Sequence, residues 1–230
     1  MSCFSCSCSL AWPRNLYCPE VLVRVDRRPL LDLSSTTLRH FLWVVTTQMK
    51  VLVTAFGPFE GHPTNASSLA LDLLKEDTSW IPSSSDITFE ALSVEYEGTQ
   101  SFLKEYWETE KPDITIHMGV NPGQCVAVEC QCNETVYTRE DVAGKTPAPE
   151  TWAKKESSLP LEEIVIRVGN GCVLSRDAGT YLCQFSLHCS LMYGNGKSVF
   201  LHVPPVATCA TDATANTVKR IICEIIASQE

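Results

Sequence analysis

Met49-Lys50-Val51-Leu52-Val53-Thr54-Ala55-Phe56-Gly57-Pro58-Phe59 is the stretch whose reading sets the fold. Residues 51–56 are a nearly unbroken apolar run of strand length, closed by a Gly-Pro turn, and such runs suit strands buried on both faces of a sheet. Working outward, strand and helix patterns alternate. A helix is expected at 66–76, a strand at 87–94, a helix at 98–107 and a buried strand at 113–119. A further strand is expected at 125–129, a helix at 161–168 and a short strand at 172–175. A helix at 181–192, a strand at 198–203 and a helix at 213–227 complete the pattern. The last helix puts Val218, Ile221, Ile222, Ile225 and Ile226 on one face. Residues 133–160 are polar, carry Pro and show little periodicity, so they read as a long loop. The alternation argues an α/β fold with helices on both faces of the sheet and functional groups near the C-terminal ends of strands.

Residues 1–48 read differently. They hold four of the twelve Cys, five Arg against three acids (net +2), and no sustained period. The expected organisation is an N-terminal extension, 1–48, followed by one domain, 49–230. The chain has 230 residues, is 44% hydrophobic and 20% charged, and carries a net charge of −9. That balance suits a globular domain with a real core and argues against a nucleic-acid surface. The N-terminus lacks a basic region before its short apolar stretch, and the run at 41–45 is too short to span a bilayer, so no membrane association is expected. The eight Cys of the body lie scattered, several within apolar runs, as thiols do in a reducing compartment; a cytoplasmic location is expected. The sequons at Asn65 and Asn133 would then go unused.

Two segments carry chemistry. Ser175-Arg176-Asp177-Ala178-Gly179-Thr180-Tyr181-Leu182-Cys183 is a small-residue turn running into a helix start. Phe200-Leu201-His202-Val203-Pro204-Pro205 is a strand stopped by prolines. A thiol at a helix N-terminus gains thiolate character, and a nearby imidazole can exchange its proton. His117, inside an apolar strand, reads as a core histidine. His188, five residues after Cys183 on one helix, should face elsewhere. Phe56-Gly57-Pro58-Phe59 is either a turn flanked by core rings or two rings offered to a flat ligand. Glu129 is either a solvated strand end or a carboxylate that orients an imidazole. Cys125, Cys130 and Cys132 lack a second Cys/His pair at zinc spacing, so no metal site is expected there.

Together these pieces resemble the pyroglutamyl-peptidase I (pyrrolidone-carboxylate peptidase) family. Thr54-Ala55-Phe56-Gly57-Pro58-Phe59 with Asn65 is similar to its opening signature, residues 175–183 to its nucleophile segment, and His202-Val203-Pro204-Pro205 to its His segment. Val94-Glu95-Tyr96 and Ile114-Thr115-Ile116-His117-Met118-Gly119 fit in the right order. The resemblance implies an open α/β/α sandwich, a single domain with a mostly parallel mixed sheet. It implies a cofactor-free cysteine exopeptidase acting on peptides with an N-terminal pyroglutamate, as a monomer or small homo-oligomer. It implies Cys183 as nucleophile, His202 as base and Glu129 as the carboxylate steadying it. Phe56 and Phe59 are implied as pocket walls, Asn65 as a supporting polar group and Tyr181 as an aromatic pocket residue. The chain departs from the bacterial pattern in Val120-Asn121-Pro122-Gly123-Gln124, which has no Arg, in Gln184 after the nucleophile, and in the loop 133–160. Those departures motivate an alternative, a catalytically silent relative that binds blocked peptides. A Cys-rich metal or redox protein is a third class.

Overall fold

β1 (Met49–Phe56) pairs in parallel with β2 (Ser85–Leu92) on one side and with β3 (Ile114–Val120) on the other. The computed structural model describes residues 48–59, 64–194 and 196–230, so the expected N-terminal extension lies, but for its last residue, outside the described residues. The remaining strands are β4 (Val126–Glu129), β5 (Gln131–Cys132), β6 (Lys155–Glu156), β7 (Cys172–Ser175) and β8 (Ser198–Val203). Six of them form a sheet of order β2-β1-β3-β8-β4-β7. All neighbours run parallel except β4 and β8, which are antiparallel. The helices are α1 (Ala66–Glu76), α2 (Tyr96–Thr109), α3 (Leu161–Val168), α4 (Leu182–Tyr193) and α5 (Thr211–Ala227).

Strand parity divides the sheet into two chemically different faces, because successive side chains point to opposite sides. One face carries Val51, Val53 and Ala55 of β1, Ile114, Ile116 and Met118 of β3, Val126 and Val128 of β4, and Val199, Leu201 and Val203 of β8. It packs on the apolar stripes of α1, α3 and α5. The opposite face carries Leu52, Phe56 and Phe200 against α2 and α4, together with the polar residues Thr54, Thr115, His117, Ser198 and His202. These buried polar groups are paired, as burial demands. Thr115 donates to Ser198 Oγ at 2.6 Å, and His117 is bracketed by the hydroxyls of Thr54 (2.7 Å) and Ser190 (2.8 Å). Burial drives the pKa of His117 down to about 3, so it is a neutral core imidazole.

Helix α4 is buried all round, from Leu182 to Leu191, with only Cys183 less than fully covered. A helix apolar on every side must be covered on every side. The sheet covers one side, α2 another, and the loop 133–160 the rest. That loop is not featureless as expected. It opens and closes on the β5–β6 ladder and holds a Thr135–Trp152 bridge. Its Tyr137 and Trp152 rings pack on Phe185 at 5.2 and 5.1 Å. His188 faces this loop. Nε2 donates to the Ala153 carbonyl (3.0 Å), leaving Nδ1 to accept from the Tyr137 hydroxyl (2.6 Å).

Two boundaries differ from expectation for a long-range reason. β2 ends at Leu92, opposite Phe56, and α2 starts at Tyr96. The Tyr96 N–H is capped by Asp141 Oδ2 at 3.0 Å, a residue far along the chain, and the Val94 carbonyl accepts from Val142. The loop therefore pulls residues 93–95 off the sheet.

Candidate active site

His202 is the penultimate residue of β8, in register with Gly119 of β3 and with Ala127 of β4. Residues opposite each other share a face, so the position two beyond Ala127, Glu129, shares it too and meets His202 on the diagonal. The contact is made: His202 Nδ1 lies 2.8 Å from Glu129 Oε1, with both side chains nearly inaccessible. The second Glu129 oxygen accepts the Asp177 N–H at 3.2 Å, which ties the carboxylate to the turn before Cys183. With Nδ1 committed to Glu129, Nε2 is the nitrogen left for Cys183. Burial alone would lower the His202 pKa, but hydrogen bonding to Cys183 and to Glu129 outweighs it and raises the pKa to about 9. The imidazole therefore holds its proton at neutral pH.

Cys183 is the second residue of α4, and Tyr181 at the N-cap offers no side-chain cap. The first N–H groups of the helix have no intrahelical acceptor, and its dipole is positive there. The turn feeding it is held by Asp177 Oδ1, which accepts the Gly179 N–H at 3.1 Å. Gly179 has φ +78°, a left-handed conformation that glycine adopts without a Cβ penalty. Gly119 serves the thiol differently. A Cβ there would sit 3.1 Å from Cys183 Sγ and 2.7 Å from Phe200 Cζ, so the missing side chain is the space the sulfur uses.

A cleft of ≈ 520 Å³ opens over this group. Every residue expected at the site lines it or supports it: Phe56, Phe59, Asn65, Tyr181, Cys183 and His202 line it, and Glu129 stands behind His202. Asn65 is fully engaged. Its Nδ2 donates to the Gly57 carbonyl (3.0 Å) and its Oδ1 accepts from the N–H and hydroxyl of Ser67 (3.0 and 2.9 Å), so it caps α1 while fixing the wall after β1. Among the described residues, no group of three or more His, Cys, Asp or Glu side chains is placed to hold a metal.

Residues 49–228 match the pyroglutamyl peptidase family. The chain belongs to that family. Mouse (Mus musculus) pyroglutamyl-peptidase 1 is 31% identical over 169 residues, covering 68% of this chain and 79% of the mouse protein. The pyrrolidone-carboxylate peptidase of Pyrococcus furiosus is 29% identical over 174 residues, covering 68% of this chain and 81% of that protein. A solved structure of a mutant pyrrolidone carboxyl peptidase from the same hyperthermophile superposes with a TM-score of 0.68 at 26% identity, covering 79% of this chain and 100% of that one. The fold is thus the α/β sandwich of the pyrrolidone carboxyl peptidases, with five helices among the described residues and a mostly parallel mixed sheet. No helix among the described residues is long and apolar enough to cross a membrane.

Several residues of this site escaped the reading of the sequence. Arg139, from the loop 133–160, lines the cleft with its guanidinium 4.1 Å from the Tyr181 ring centroid. The cleft of this pyroglutamyl peptidase family member thus contains an arginine although the segment 120–124 has none. No local signal marks Arg139. Asp141 is more legible, since Asp141-Val142-Ala143-Gly144 has the composition of an Asx turn. Its carboxylate accepts the N–H groups of Ala143 (2.9 Å), Lys145 (3.0 Å) and Tyr96 (3.0 Å). Burial would raise its pKa, but these backbone donors outweigh burial and lower it. Gln184 is fully buried, and its longer amide reaches the Asn133 N–H at 2.8 Å, joining the helix to the start of the loop.

Proposed function

We propose that this chain is a cysteine exopeptidase that removes N-terminal pyroglutamyl residues from peptides, with residues 49–230 as the catalytic domain. The observation that carries the reading is the line Glu129–His202–Cys183 at the floor of an aromatic-walled cleft. Pyroglutamate is a flat, neutral lactam with no free amine. Phe56, Phe59 and Tyr181 give it ring faces, and the cleft volume suits one such residue with the start of the next. Among the described lining residues the carboxylate is that of Asp177, whose Oδ1 accepts the Gly179 N–H.

The chemistry follows from the protonation of His202. The imidazolium, held by Glu129, faces the sulfur and stabilises it as thiolate. Cys183 Sγ attacks the pyroglutamyl carbonyl carbon and forms the C–S bond. The carbonyl oxygen becomes an oxyanion near the free N–H groups that open α4. Collapse breaks the C–N bond while His202 gives its proton to the departing amine. Water, deprotonated by the now neutral His202, then attacks the thioester. Pyroglutamate leaves and the thiolate–imidazolium pair is restored.

The test is turnover of a pyroglutamyl-aminoacyl fluorogenic substrate by the purified chain. Thiol-dependent release is expected, abolished by alkylation and lowered by about 10⁴-fold or more in Cys183→Ala. Tight binding of a pyroglutamyl peptide with no thiol-dependent release would replace this reading with that of a silent binder.

A further inference from the structure

The loop 133–160 brings a cation to the cleft that the catalytic line does not use. Among the described residues Arg139 makes no ion pair, and its guanidinium makes no hydrogen bond within the chain. It is nonetheless not a freely waving surface arginine. Its carbonyl accepts the Tyr96 hydroxyl at 3.1 Å, and Asp141, two residues on, pins the backbone through three N–H groups. Its guanidinium carbon lies over the Tyr181 ring, 4.1 Å from the centroid, and that ring is itself braced edge-on by Tyr96 at 5.9 Å. With no hydrogen bond from the guanidinium to the described residues, its N–H groups are available, and their fork matches a carboxylate.

The position decides what such an edge can read. Phe56, Gly119 and His202 are buried at the floor of the cleft, whereas Arg139, Gly179 and Thr180 are exposed at its mouth. A terminal pyroglutamyl group occupies the floor, so the residue after the scissile bond passes over the mouth. His202, at the floor, is balanced by Glu129, so the exposed charges among the described lining residues are Arg139 and Asp177, and the N-terminus of α4 adds to the positive side. Arg139 is thus the one exposed cation among the described lining residues, on a chain of net charge −9.

We propose that Arg139 makes the mouth of the cleft a carboxylate subsite, favouring blocked peptides whose second residue is acidic or ends in a free carboxylate. This rests on the pyroglutamyl-peptidase reading above and deepens it. Because the guanidinium is exposed, the pair is screened and the preference is modest, about three- to fivefold at low salt.

The experiment compares kcat/KM for four peptides on the full chain: pyroglutamyl-Glu-amide against pyroglutamyl-Gln-amide, and pyroglutamyl-Ala against its amide. The first pair reads a side-chain carboxylate and the second a terminal one. Each carboxylate-to-neutral ratio that exceeds one should fall to about one in Arg139→Gln and at high salt, while Arg139→Lys keeps part of it. Ratios near one in the wild-type chain, or ratios unmoved by Arg139→Gln, overturn the proposal, and a loss equal across all four peptides would assign Arg139 a structural or transition-state role instead. Titrating the same peptides into Cys183→Ala, with and without Arg139→Gln, reads the preference without chemistry. Absence of turnover then overturns the proposed activity, while the affinity ratio still decides Arg139. A chain that binds none of them overturns both.

Discussion

The cleft has two walls of different origin. Strands β3, β4 and β8 supply Gly119, Glu129 and His202; Glu129 and His202 are paired in the ladder on both sides, and Gly119 is paired with His202. The loop 133–160 supplies Tyr137, Arg139 and Asp141, held by an Asx turn, ring packing and single hydrogen bonds to α2 and α4. A ladder fixes a side chain by many cooperative bonds, so the strand wall tolerates no displacement of its groups. The loop wall rests on a few contacts made after the sheet exists. Under the proposed mechanism the first wall would position reacting atoms, and the second would shape what reaches them. Helix α4 belongs to both, since its first turn carries Cys183 and its flank carries Gln184, Phe185 and His188 against the loop.

Substitutions in the two walls should therefore differ in kind. Glu129→Gln removes the charge that steadies His202 and should lower kcat/KM by about 10²-fold. It should also move the pH profile in a defined direction. The His202 pKa is raised to about 9, so the imidazolium persists at neutral pH and activity should decline as pH rises through about 9. Without the carboxylate the proton is held less tightly, and the alkaline limb should shift to lower pH. A pH–rate profile in which the limb stays in place would detach Glu129 from this role. The same raised pKa adds stability that is complete below the ordinary histidine pKa and lost as pH rises through about 9.

Gly119→Ala tests the intolerance of the strand wall. Phe200 is fully buried and has no room to retreat from a new Cβ. The substitution should cost about 1–3 kcal/mol of stability by overpacking. It should also lower kcat/KM by about tenfold to 10²-fold through displacement of the sulfur. Denaturant midpoints and turnover should both report it, and a fully active, fully stable variant would show the wall to be softer than the ladder implies.

Asp141→Ala tests the loop wall and should have the smallest effect on chemistry. It strands three backbone donors and should weaken local order by about 1–3 kcal/mol. Limited proteolysis within residues 133–160 should accelerate, while kcat/KM falls by less than about tenfold. A loss of activity as large as that of Glu129→Gln would mean that the two walls are one mechanical unit.

The contrast also explains what was readable beforehand. The strands showed themselves as apolar runs. The helices at 66–76 and 161–168 and the strands at 172–175 and 198–203 stand where the local pattern placed them. The ends of β2 and α2 did not, because Asp141 and Val142 set them from across the chain. Cys183 and His202 were marked by their settings, a turn opening a helix and a strand stopped by prolines, whereas Phe56 and Phe59 stood open between core rings and ligand-facing rings. Glu129 stood open between two readings, since nothing local reveals that β4 runs antiparallel to β8. Arg139 left no trace, because a lone arginine in a polar loop looks like any solvated charge.

By itself the chain determined where most strands and helices lie. Apolar runs, the Gly-Pro turn after β1 and the Asp-Ala-Gly turn before Cys183 are local steric and solvation facts, and they survive in any packing. Only the tertiary structure decided that Glu129 meets His202 on the diagonal, that Gly119 leaves room for Cys183 Sγ, and that Arg139 reaches the mouth of the cleft. Those outcomes depend on strand order, strand direction and the docking of a loop on a helix buried all round, which are properties of long-range contacts rather than of any segment's own preference.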